Sequence, residues 1–366
     1  MNRNQAIDFF RGLFLIIMMV DHLLIFGFGA LFFIYNYSFQ MFGFVSAAEG
    51  FVFISGLMCG MVYGKVALRS LDEFKSKLLS RLKLIYIYHF RAISLIAIMF
   101  AIPQLNSLWQ LTWDGKLALW KQAPIKAWFH GITLLYQTSF VDVLPLYLML
   151  MFGLLISMPY LLKAKPWQFL AVSISLWFAG QFFPQEAFGQ SIGHLLGWFE
   201  VLSWQLLFFG AAYLGLQHIR GHKIPINNHA FGFAVITSLV LFYIRHFHLS
   251  QAEAIGLNLF NVRTLGLGRI LNFISLGYAI YFLSARGLVR FSLAAINILG
   301  RNSLKVFSVH LVIVYFTGFL KPWISAQGLM IQLGLFGVSI LSLYLPMIYS
   351  ELLVALKRPS KMALKT

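Results

Sequence analysis

The sequence predicts an all-α, polytopic integral membrane protein of about ten transmembrane helices with both termini cytoplasmic. Three observations predict it: repeated windows of roughly 20 apolar residues, lysines and arginines gathered between alternate windows, and tryptophans at window edges. Of 366 residues, 60% are hydrophobic and only 11% charged, and the mean hydropathy is +0.80. Those values are far from the balance of a water-soluble domain.

The apolar windows lie near 7–28, 40–64, 84–103, 143–162, 167–184, 201–217, 230–246, 267–285, 303–320 and 329–352. With an inner N-terminus, the inner connections hold most of the basic residues: Lys65 to Lys83, Lys163 and Lys165, Arg220 and Lys223, Arg286, Arg290 and Arg301, and Lys357 onward. This is the positive-inside pattern, and it closes only with an even number of spans. The formal charge of +17 therefore belongs to loops at a membrane surface, and no nucleic-acid partner is expected. Trp109, Trp113, Trp120, Trp128, Trp198, Trp204 and Trp323 fall in or beside outer segments, where amphipathic rings prefer the interface.

No internal repeat or low-complexity linker divides the chain, so 1–366 reads as one membrane domain. Its longest stretch between windows, 104–142, mixes tryptophans with Lys116, Lys121, Lys126 and Asp114, as suits helices lying in the outer interface. The first window follows a short start with Arg3 and shows no cleavage site, which reads as a retained signal anchor. A single cysteine, Cys59, leaves no pair for a disulfide or a thiol metal site. His246 and His248 stand two apart rather than at the three or four a helical metal site needs, so no metal is expected. Ser46 and Ser55 lack the glycine-flanked elbow of a serine nucleophile.

Five ionisable residues interrupt the first two windows: Asp8, Arg11, Asp21, His22 and Glu49. A charge at the centre of a spanning helix costs about 2.5 to 3.5 kcal/mol on insertion scales, so such residues persist where they are paired or used. Arg11 and His22 are eleven positions apart, three helical turns plus about 20°, with a rise of about 16 Å. They share one face at different depths. Asp8, three residues before Arg11, is a candidate ion-pair partner for it. His22 suits a general base, which needs a second group to fix its tautomer. Asp21 is adjacent but about 100° around the helix, whereas Glu49 lies at a similar depth on the second window and is favoured as the partner. Gly56, Gly60 and Gly64 form two overlapping GxxxG steps for close helix packing.

Six stretches, in order, carry a resemblance: Asp8-Phe-Phe-Arg11-Gly12 with Asp21-His22, SAAEGFVFISG at 46–56, RLKLIYIYH at 81–89, DVLPLY at 142–147, SWQLLF at 203–208 and GRNSLKVFSVH at 300–310. Together they resemble the OpgC family, named for succinylation of osmoregulated periplasmic glucans, within the broad acyltransferase type 3 group. The resemblance spans nearly the whole chain. In the wider group an arginine and a histidine separated by ten residues mark the first helix, and Arg11 and His22 match that spacing.

The resemblance implies an O-acyltransferase of the bacterial inner membrane. Its donor would be a cytoplasmic acyl-CoA, with succinyl-CoA the expected thioester. Its acceptor would be a hydroxyl of a periplasmic glucan or other envelope glycan. Arg11 would hold donor phosphates, with Arg91 and Lys305 as further cations, and His22 would act as base beside Glu49 or Asp21. Asp142, Tyr147, Gln205, Asn302, Ser303 and His310 are weaker candidates for lining the path, and Arg263 or Arg269 for meeting a succinyl carboxylate. Ser303 and His310, seven residues apart, share a helix face. The competing readings are a proton-coupled transporter using the same buried charges and a membrane component of glucan export. A transporter predicts repeats and interrupted helices, neither of which is visible in the sequence. The acyl group, the acceptor and the oligomeric state stay open.

Overall fold

The computed structural model describes residues 5–102, 118–136, 140–183, 198–248 and 258–357, with side chains apart from Phe26 and 352–357. Among the described residues every regular element is a helix. The elements are α1 (Gln5–Phe26), a 3-10 turn (Gly29–Ile34), α2 (Tyr35–Ser38), α3 (Ala47–Ala67), α4 (Leu71–Ala101), α5 (Ala118–Gln122), α6 (Pro124–Ile132), α7 (Val143–Lys163) and α8 (Pro166–Phe182). They continue with α9 (Val201–Ile219), α10 (Asn228–Phe247), α11 (Leu267–Ala285), α12 (Ala294–Arg301), α13 (Ser303–Phe319), α14 (Lys321–Ser325), α15 (Leu329–Leu341), a second 3-10 turn (Ser342–Tyr344) and α16 (Leu345–Lys357).

Among the described residues six helices are long and apolar enough to cross a membrane: α3, α4, α7, α10, α11 and the run Leu329–Glu351. The bent pair α12–α13 brings the number to seven. The chain is thus a multi-pass membrane protein. All ten apolar windows fall on helices, but α8 and α13 have 17 residues each, short of the roughly 20 that a perpendicular crossing takes. α1 carries Asp8, Arg11 and Asp21 along its length.

Two expectations change. The basic stretch 65–83 is not a loop: it begins at the end of α3, and from Leu71 it is the first part of α4, a helix of 31 residues and so about 46 Å long. Ser70 caps it, accepting from the backbone amide of Glu73. And one span is broken after all. α12 and α13 meet at Asn302 with a bend of 91°, and the Asn302 side chain donates back to Ile298 O at 3.0 Å.

Small residues set the helix spacing. A Cβ on Gly56 or Gly60 would fall 2.1 Å from the carbonyl oxygen of Phe208 or 2.0 Å from that of Ala212, both on α9. Gly215 of α9 returns the contact against Leu57 O. The GxxxG steps thus let α3 and α9 pack backbone to backbone. The same device joins α1 to α12: a Cβ on Gly12 meets Ile296 O at 2.1 Å and one on Gly300 meets Asp8 O at 1.9 Å. This crossing seats the break at Asn302 against the N-terminal part of α1.

Of the interfacial segment, Trp109, Trp113, Asp114 and Lys116 lie outside the described residues. Trp120 is buried and Trp128 partly so. Trp120 is fully buried against Phe100, with ring centroids 5.9 Å apart, and Trp128 donates to Ser94 Oγ at 3.0 Å. Both pack α5 and α6 onto α4.

Gly60→Val should lower the thermal midpoint and disperse the protein in detergent, since overpacking costs about 1–3 kcal/mol and more against backbone. Gly210→Ala, where a Cβ meets nothing within 4 Å, should be neutral. Equal behaviour of the two variants in a thermal-shift and size-exclusion assay would contradict the packing account.

Candidate active site

The site is built where α1 and α13 run side by side. Arg11 Nη2 donates to Ser303 Oγ, and one helical stretch later His22 Nδ1 lies 2.9 Å from His310 Nε2. The two imidazoles stack, with centroids 4.8 Å apart and planes 24° from parallel. Because the order of contacts is the same on both helices, α1 and α13 run in the same direction. The spacings differ, eleven residues on α1 and seven on α13. The difference of about 6 Å of helix rise is taken up by the long arginine side chain at one rung and the short imidazole contact at the other.

At the Arg11 end the break at Asn302 is what makes Ser303 available. It ends α12 and starts α13 with Ser303 in the first turn, buried and facing α1. Asp8 reaches Arg11 through its charge. It forms its ion pair with Arg301, Nε to Oδ2 at 3.4 Å. Arg11 Nε is buried with no hydrogen-bond partner. Tyr147 of α7 and Cys59 of α3 stand within electrostatic range of Arg11, and their own side chains meet at 3.8 Å. A residue that the sequence placed in the basic inner connection and at the head of RLKLIYIYH, but not among the site residues, joins them: Arg81 of α4, half-buried, within electrostatic range of Arg11, Tyr147 and Cys59. It lies ten residues after Leu71, the start of α4, on a continuous helix rather than in a loop. The charges of two arginines thus act on one another, with the Asp8 carboxylate among the charges acting on Arg11, and that carboxylate is bonded to Arg301.

At the His22 end the Phe140 ring packs on the imidazole, centroids 3.9 Å apart. Phe140 holds a left-handed backbone, φ +66°, which is costly for a bulky residue and persists only where surroundings impose it. His310 is fully buried and its Nδ1 has no partner.

The expected partnership of Glu49 with His22 is corrected. Glu49 and Arg269 are both 0% exposed and form an ion pair, with Arg269 Nε donating to Glu49 Oε1 at 2.7 Å. The other carboxylate oxygen, Oε2, accepts from the Ser46 backbone amide at 3.0 Å and from its hydroxyl. This is a capping box that starts α3 at Ala47. Both oxygens are occupied, so none remains for an imidazole. The same contact removes Arg269 as a ready cation for a free carboxylate. Asp21 does not orient His22 either; it turns toward Ser38 and Tyr35.

The remaining candidates divide cleanly. Tyr147, Asn302, Ser303 and His310 come together with Arg11 and His22. Gln205 does not: it exchanges hydrogen bonds with Ser173, accepting from its hydroxyl at 2.9 Å and donating to its carbonyl at 2.7 Å, a clamp between α8 and α9. Asp142 accepts from the Trp198 amide at 3.0 Å. Arg263 lies over the Trp198 ring at 5.8 Å. Arg91 and Lys305 are exposed, Arg91 over the Tyr88 ring at 5.9 Å, and both stand outside the arginine cluster. Among the described residues no group of three or more His, Cys, Asp or Glu is placed to hold a metal.

Glu49→Ala should destabilise by about 3–5 kcal/mol, because it strands a buried guanidinium, whereas Glu49→Met with Arg269→Met together should recover much of the loss. Thermal midpoints in one detergent check this; a double variant no better than the single ones would contradict it.

Neither a curated protein nor a solved structure matches the chain. The family model described as OpgC protein matches residues 3–353. That match covers both rungs of the site and nearly every helix, and the chain belongs to the OpgC family.

Proposed function

We propose that the protein is a membrane O-acyltransferase that moves a succinyl group from coenzyme A to a glucan hydroxyl, with His22 as general base. Family membership supports a glucan-modifying transferase. The observation that carries the finer reading is the pair of rungs between α1 and α13, which sets a cationic end and an imidazole end on one face, from residues about 16 Å apart along the α1 backbone.

Arg11 and Arg81 suit the phosphates of coenzyme A, since Arg11 keeps a spare Nε donor, the Asp8 carboxylate near it is tied to Arg301, and guanidinium groups bind phosphate through charge-assisted hydrogen bonds. The extended pantetheine arm would run along α1 and bring the thioester to His22. With His22 Nδ1–H donating to His310 Nε2, the lone pair stands on His22 Nε2. That nitrogen takes the proton of the acceptor hydroxyl. The alkoxide oxygen then adds to the thioester carbonyl, the carbon–sulfur bond breaks, and the coenzyme A thiolate leaves inward while the ester remains on the sugar. His310 is a positioning residue, taking the role expected of Glu49. Parallel α1 and α13 fit odd-numbered spans of a ten-span topology with inner termini.

The broken span at Asn302 is a feature shared with transporters. Here it delivers Ser303 to Arg11, and no second broken helix matches it among the described residues, which favours the enzyme.

In lipid nanodiscs with labelled succinyl-CoA and a glucan, His22→Ala should abolish label transfer, a loss of about 10²–10⁴-fold. His310→Ala should lower kcat while leaving the KM for succinyl-CoA in place. Arg11→Ala and Arg81→Ala should raise that KM more than they lower kcat, as loss of uniform binding predicts. Undiminished transfer by His22→Ala would remove the base from the mechanism. Wild type that neither transfers label nor releases coenzyme A would favour transport.

A further inference from the structure

Between α1 and α3 the chain does not cross directly. The 3-10 turn at Gly29–Ile34 and the short α2 fold back over the outer end of α1, directly beside the His22 rung. This cap carries polar groups that the protein itself does not satisfy. Asp21 is 6% exposed, yet its Oδ1 has no hydrogen-bond partner. Ser38 is close enough to influence the charge of Asp21, but its buried hydroxyl completes no hydrogen bond of good geometry either. Tyr35 stands within electrostatic range of both Asp21 and Arg245. Arg245 Nε donates to Gln40 Oε1 at 2.7 Å, and Gln40 holds a left-handed backbone, φ +58°. The outer end of α10 thereby pins the cap in place.

Aromatic rings complete it. Phe32, Tyr35 and Phe39 form a stacked ladder, with centroids 5.0 and 4.9 Å apart and planes within 14° of parallel. Phe33, Tyr37 and Phe42 are exposed, Tyr37 at 72%.

We propose that Asp21, Ser38 and the aromatic cap at 29–44 form the acceptor subsite, which holds a glucose unit of the glucan through its hydroxyls and its ring face. A carboxylate oxygen withdrawn from water without a donor is costly, and a sugar brings several hydroxyl donors at once. Flat aromatic faces suit the C–H face of a pyranose, and acyl chains of lipid offer no donor for Asp21. The depth fits as well, since Asp21 lies one residue, about 1.5 Å of helix rise, from His22, to which the acceptor hydroxyl must come, while its own side chain faces the cap at Ser38 and Tyr35. This inference rests on the acyltransfer reading for the identity of the sugar polymer, and it assigns Asp21 to acceptor binding rather than to the base.

The test compares wild type, Asp21→Asn and Tyr37→Ala in nanodiscs of fixed lipid composition. A short linear glucan is titrated calorimetrically without donor, and KM values for glucan and for succinyl-CoA are then measured with labelled donor. Asp21→Asn should weaken glucan binding about tenfold or more, the scale of one charge-assisted hydrogen bond, and raise the glucan KM in proportion while the succinyl-CoA KM moves less than about twofold. Tyr37→Ala, on an exposed side chain whose loss leaves the core intact, should weaken glucan binding about threefold or more. Glucan binding unchanged in both variants, absent in wild type, or sensitive to headgroup composition but not to the Asp21 substitution overturns the subsite. Asp21-dependent glucan binding by a wild type that transfers no label would instead retain the subsite and sink the acyltransfer reading.

Discussion

The polar groups of this protein depend on the pairing of α1 with α13. A membrane helix that carries an arginine and a histidine needs partners for both at two depths, because the hydrocarbon around it supplies none. Ser303 and His310 meet that need on one neighbour. The pairing in turn relies on glycines: Gly12 and Gly300 let α1 and α12 approach to backbone contact, and the 91° turn that follows redirects the chain so that α13 descends along α1. Replace the break by a continuous helix and Ser303 leaves Arg11.

Two buried charge arrangements within the same bundle illustrate different uses of an arginine. Arg269 is closed off: it meets Glu49, both are fully buried, and the carboxylate is also tied into the start of α3. Such a pair is expensive to break and is best read as fixing where α3 and the cap before it sit relative to α11. Asn272, one turn on, accepts from the Phe44 amide at 2.6 Å, and so extends that hold to the cap itself. Arg11 is the opposite case, held by a neutral hydroxyl and left with an unpartnered Nε beside a second arginine. An arginine lacking a carboxylate of its own is the one suited to a ligand's anion.

The sequence carried the helices and the shared face of Arg11 and His22, because apolar length and a period of 3.6 are local properties. A second local signal is Ser46-Ala-Ala-Glu49, a capping-box pattern that starts the helix at Ala47 and occupies Glu49. Matching depths made Glu49 a neighbour of His22 on paper, but depth does not say which way a side chain points. Arg81 escaped because charge next to a loop looks alike whether or not a helix continues through it. The partner of His22 could not be chosen from sequence, since the contact joins residues 288 positions apart. Only the common spacing of Ser303 and His310 hinted at it.

The central claim is that one path runs along α1 from the Arg11–Arg81 pair to His22. Its most direct test is a structure of the protein in lipid with a thioether analogue of succinyl-CoA, which cannot transfer its acyl group. The account predicts phosphate oxygens within hydrogen-bond reach of Arg11 and Arg81, the pantetheine arm along α1, and the acyl carbon beside His22 Nε2. Phosphates bound elsewhere on the basic surface of α4, with the arm leading away from His22, would contradict it.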